Sequence, residues 1–233
     1  SPALGTALQM LSGFGPSLAA LAVVALTNGR AGLHDWLKRR LQWRGLRWRW
    51  LVGAFVLPPV LMALALVLER ALGGTIPASP ARGHVALAVV NFVLVFFVGG
   101  PLGEELGWRG FALPALAAAV RWRAASLLLG VLWGLWHLPL FFMAESAQSH
   151  MPIGLFMVST VTQSVILAWL FLATDRSVLP VMIMHTSINA WLNVLPVLPT
   201  ADSARPFALV VGLQALVALV LLSPWSSRLR GAR

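Results

Sequence analysis

The chain has 233 residues, 59% of them hydrophobic and 10% charged, with a mean hydropathy of +0.84. Soluble domains carry about 25% charged residues. Neither a soluble globular domain nor a disordered chain fits this composition, whereas a polytopic membrane protein does.

Cysteine is absent, which excludes disulfides, thiolate metal sites and a cysteine nucleophile. The net charge of +10 reads as membrane orientation rather than nucleic-acid binding, because the basic residues sit between apolar stretches.

Seven stretches of 18 or more residues lack Asp, Glu, Lys and Arg: 1–29, 51–68, 83–103, 124–144, 146–174, 177–201 and 206–227. A helix needs about 20 apolar residues to cross the roughly 30 Å hydrocarbon core, and helices are the default spanning form in lipid. Barrel strands alternate and are shorter. The sequence therefore predicts an all-α class, with residues 1–233 forming a single domain. That domain is a polytopic transmembrane bundle of about seven membrane helices plus one interfacial amphipathic helix. Gly13, Gly15 and Pro16 interrupt the first stretch. Because the chain starts at Ser1, a further N-terminal segment is expected ahead of it. No basic n-region precedes the first apolar run, so it does not read as a signal peptide.

Residues 30–49 hold Arg30, Lys38, Arg39, Arg40, Arg44, Arg47 and Arg49. Leu33, Trp36, Leu37 and Leu41 fall on one helical face beside Lys38, Arg39 and Arg40, which predicts an amphipathic helix lying on an anionic membrane surface. The odd-numbered connections and the C-terminal tail carry 14 Lys and Arg, the even-numbered ones 3. Cytoplasmic loops are enriched in these residues. The odd loops and the C-terminus are thus predicted to be cytoplasmic, with the protein integral to the cell membrane.

The third stretch runs into GGPLGEELGWRGF. A charge at the bilayer centre costs about 2.5–3.5 kcal/mol, so Glu104 and Glu105 call for a role. Glu105 and Arg109 are i,i+4 and can pair on a helix. Glu104 lies about 100° around and is free for chemistry. Pro101 with Gly99, Gly100 and Gly103 predicts a break in the helix, tolerated only where protein or water covers it. In the fourth stretch, His137 lies in VLWGLWHLPLFF, with Trp133 one turn before it and Pro139 after it. In the sixth, His185 and Asn189 share a face and offer two donors to an anionic oxygen.

Each feature alone has a bland reading. These are an ion pair at a helix end, a hydrogen-bonded core histidine and interhelical hydrogen bonds. Packed together they predict one polar pocket, with Glu104 and His185 toward the cytoplasmic end and His137 two or three turns deeper. That site would open to the cytoplasm. A carboxylate, two histidines and an amide suit hydrolysis: a base for water and donors for an oxyanion. No H-E-x-x-H helix, no Asp within a span and no G-x-S-x-G-like turn is present. Glu104 with His137 and His185 is also a His₂Glu set of the kind that holds catalytic zinc.

Glu104-Glu105-Leu-Gly-Trp-Arg109, Trp133-Gly-Leu-Trp-His137 and His185-Thr-Ser-Ile-Asn189 resemble the three signatures of the CPBP family. These are the type II CAAX prenyl proteases and bacteriocin-processing enzymes, also called the Abi family. Its patterns EExxxR, FxxxH and HxxxN come in this order. The resemblance covers the chain from roughly residue 15 onward, and Trp133 stands where the second motif has Phe.

The resemblance implies a glutamic-type intramembrane endopeptidase without a cofactor. Glu104 and His137 would activate water, His185 and Asn189 would form the oxyanion hole, and Glu105 and Arg109 would support them. Because family members have long been labelled metalloproteases, zinc on Glu104, His137 and His185 is the metal alternative. The partners it implies are the bilayer and a peptide or membrane-protein substrate, with no nucleic acid. Prenylated C-termini, peptide pheromones and bacteriocin precursors all qualify. Members thought to act as immunity or scaffold proteins supply a non-catalytic alternative. A proton-relay transporter fits less well, since transporters pair broken helices and one break alone, at 99–103, is seen.

Overall fold

The computed structural model describes residues 13–82, 84, 87–144 and 146–224, and those residues form helices and no strands. In chain order the α-helices are α1 (Gly15–Arg40), α2 (Trp48–Ala71), α3 (Ala88–Val98), α4 (Pro101–Glu105), α5 (Leu113–Ala119), α6 (Trp122–Trp136), α7 (Ile153–Ala173), α8 (Leu179–Leu192) and α9 (Arg205–Leu222). A π-helical segment, Leu106–Ala112, joins α4 to α5, and two short 3₁₀ turns, Leu138–Phe142 and Ala147–His150, follow α6.

Among the described residues, five helical runs are long and apolar enough to cross a membrane: Trp48–Ala71, Ala88–Ala119, Trp122–Phe142, Ile153–Ala173 and Arg205–Leu222. The count of about seven is therefore not confirmed by the described residues. The 177–201 stretch yields α8, of only 14 residues. Most of α8 from Pro180 to Ala190 is buried, so protein rather than lipid surrounds it. A helix shielded in this way need not span the bilayer by itself.

The predicted surface helix is the second half of α1. Gly29, at φ 68 and ψ −175, breaks α1 into two limbs. Leu33, Trp36, Leu37 and Leu41 do share a face, but they pack on the protein core, with Trp36 only 8% exposed. The Trp36 ring packs beside Gly110. Lys38 and Arg39 stay exposed.

Two small-xxx-small pairs set the helix spacing, as is common in membranes where close backbone approach replaces hydrophobic drive. A Cβ on Gly103 would meet the Gly13 carbonyl at 2.4 Å, and one on Gly107 the Pro16 backbone at 2.3 Å. Likewise a Cβ on Gly130 would lie 2.6 Å from Val161 Cα, and one on Gly134 2.6 Å from Met157 Sδ. The first pair seats α4 and the π segment against the start of α1. The second locks α6 onto α7.

Candidate active site

The expected helix break is present. Gly99 caps α3, Gly100 takes φ 106 and Pro101 opens α4. A Cβ at Gly100 would also lie 2.5 Å from Glu104 Oε1, so only glycine lets the carboxylate fold back over the break. The break leaves the Gly99 carbonyl without a helical donor, and Asn189 Nδ2 donates to it at 3.2 Å. A second freed carbonyl holds α8 from the other side. Pro59 has no N–H for Phe55, and Ser187 Oγ donates to the Phe55 oxygen at 2.6 Å.

Glu104 is 5% exposed, and Glu105 and Arg109 are fully buried. Arg109 Nη1 donates to Glu105 Oε1 at 2.8 Å, as the i,i+4 spacing predicted. The same oxygen takes His185 Nδ1 at 2.7 Å. The sequence did not reveal that contact, because the two residues are 80 positions apart. The π segment, a distortion that often marks functional sites, also escaped it.

Trp133 links the three motifs. Its indole Nε1–H donates to Glu104 Oε2 at 2.5 Å. The Arg109 guanidinium lies over its ring, 4.5 Å from the centroid. His185 stands edge-on at 5.3 Å and His137 at 5.7 Å. Trp133, one turn before His137, packs beside it, and its bond to Glu104 is one that Phe could not make. His137 Nδ1 lies 2.8 Å from the Trp133 carbonyl. A carbonyl only accepts, so Nδ1 carries the proton and Nε2 is the basic nitrogen of the neutral ring.

A cavity of about 280 Å³ gathers Trp133, His137, His185 and Asn189 in its wall. Glu104 reaches this group through the Trp133 indole. The cavity's other polar lining is Gln148, Ser159, Thr160, Gln163 and Asn193.

His137 is the C-cap of α6, which ends at Trp136 because Pro139 cannot continue the hydrogen-bond ladder. The cavity rim includes Ala147, Met151 and Leu198 from even-numbered loops. The basic connections and the cavity rim therefore lie at opposite ends of the bundle. The tail arginines Arg228, Arg230 and Arg233 lie outside the described residues. The zinc alternative requires Glu104, His137 and His185 to converge. Among the described residues no three His, Asp or Glu side chains are grouped to share a metal ion.

Residues 86–191 match the family model described as type II CAAX prenyl endopeptidase, Rce1-like, a segment that contains all three motifs. Over 191 aligned residues, 78% of this chain and 70% of the relative, the chain is 29% identical to CAAX prenyl protease 2 of Methanococcus maripaludis.

Proposed function

The chain being a relative of the type II CAAX prenyl endopeptidases, we infer that it is an intramembrane endopeptidase, and we propose that water activated at Glu104 performs the hydrolysis. The observation that carries this reading is the meeting of Glu104, His137 and His185 on one side chain, Trp133, at the wall of a cavity that Asn189 also lines.

Each residue has a chemical task in this scheme. The Trp133 N–H holds one Glu104 oxygen and leaves Oε1 for a water. That water also donates toward His137 Nε2. As its oxygen attacks the scissile carbonyl carbon, its proton passes to Glu104. The developing oxyanion accepts from the Asn189 amide, which has a second N–H besides the one on Gly99, and from the His185 Nε2–H. Glu105 accepts the His185 Nδ1–H, and Arg109 holds Glu105 in place. Glu104 then returns the proton to the departing nitrogen as the C–N bond breaks.

The test is terminal-peptide profiling of membranes holding equal amounts of wild type or Glu104→Ala. New peptide termini that vanish with Glu104→Ala identify a peptidase and its substrate together. Identical profiles from two folded proteins would favour an immunity or scaffold role. In the proposed chemistry no step uses a metal, so cleavage is expected to survive chelators. Inhibition reversed by added zinc would reassign Glu104, His137 and His185 as ligands.

A further inference from the structure

The two ends of the bundle differ in charge and in access. The connections from Arg30 to Arg49, with Arg121, Arg123 and Arg176, lie at one end. Arg70, Arg82 and Arg205 lie at the other, and Arg205 is held by Glu69 through two bonds of 2.7 and 2.8 Å. This bias is the one that marks a cytoplasmic face.

Access to the site runs the other way. Toward the basic end the site is sealed beneath Glu105 and Arg109. Trp36 packs at Gly110, and Arg40 Nε donates to the Gly110 carbonyl at 2.8 Å. The Val178 N–H donates to the Arg40 carbonyl at 2.8 Å, and Ser177 Oγ to the Gln42 carbonyl at 2.8 Å. Toward the opposite end the cavity is bordered by Ala147, Gln148, Asn193 and Leu198 from the loops there. Apart from the two histidines its lining holds no titratable side chain. Its amides and hydroxyls can bond a peptide backbone without selecting for charge.

We propose that the site takes its substrate from the membrane face opposite the basic loops. That substrate is a translocated polypeptide segment, uncharged around the cleaved bond. The word substrate rests on the peptidase reading above, while the sidedness does not. A prenylated C-terminus in the cytosol would meet the sealed end.

The absence of cysteine lets single cysteines report sidedness without background. In sealed right-side-out vesicles carrying the full chain, Ala147→Cys and Asn193→Cys are expected to react with a membrane-impermeant maleimide. Trp43→Cys, in the basic loop, reacts only after the vesicles are opened. Thr75→Cys, exposed at the cavity end, reports the same side even if the cavity pair is shielded. The reverse pattern overturns the proposal and puts the cavity where a cytosolic C-terminus would arrive. Peptide termini unaffected by Glu104→Ala would remove the peptidase reading and leave the labelling result to stand alone.

Discussion

Glu69 and Glu105 are both buried carboxylates that hold an arginine, and they do different work. Glu69 gives each oxygen to one nitrogen of Arg205, whose side chain is 48% exposed. Gly74 crowds this pair so closely that a Cβ there would lie 1.9 Å from Glu69 Oε1. The result is a clamp that ties the end of α2 to the start of α9. Glu105 instead shares one oxygen, Oε1, between Arg109 and His185, and that histidine lines the cavity. The contrast teaches that a buried ion pair does not by itself mark a site. What marks one is a carboxylate oxygen that also orients a histidine toward open space.

The sharpest way to test the contrast is through chemistry that bypasses both pairs. Glu104→Ala and His137→Ala are each expected to lower the yield of product termini by roughly 10²–10⁴-fold, the usual worth of a general acid or base, with thermal unfolding unchanged. Full activity in either variant would sink the assignment. Arg109→Met should come next. It leaves the buried Glu105 with the His185 contact alone, and breaking a buried pair costs about 3–5 kcal/mol. Both the melting temperature and cleavage should fall, and a stable, active Arg109→Met would make the central pair no more than a second clamp.

Trp133→Phe keeps a ring under Arg109 but removes the donor to Glu104. A hydrogen bond to a charged group is worth about 1.5–3 kcal/mol, so cleavage is expected to drop about 10- to 100-fold while the fold persists. Phe is the residue that the second family signature carries, so wild-type activity in this variant would reduce the indole to packing. Glu69→Gln should have the smallest effect. It lowers the melting temperature measurably and leaves cleavage per folded molecule intact, and a loss of cleavage would couple the clamp to the site.

Much of this arrangement was legible in the sequence. The uncharged runs became helices because lipid leaves the backbone no other partner. The Gly-Gly-Pro break and the Glu105–Arg109 pair followed from local spacing. The Trp133–Glu104 and His185–Glu105 bonds were not legible, because they join different helices and no periodicity encodes them. The tight glycine pairs, Gly103 with Gly107 and Gly130 with Gly134, were written in the sequence as small-xxx-small patterns. They would have foretold that α4 and α6, the helices flanking the site, are the closely packed ones. The end of the bundle at which the cavity lies was not legible, because the uncharged run hid the stop at Trp136.

The shortness of α8 has a consequence for reach. At 1.5 Å per residue, its 14 residues extend about 21 Å, roughly 9 Å less than the hydrocarbon core. An extended peptide covers about 3.3–3.6 Å per residue. A helix of this length does not cross the hydrocarbon unaided, so the neighbouring helices must shield the polar groups at its ends, and a peptide strand of about six residues is as long as the whole of α8.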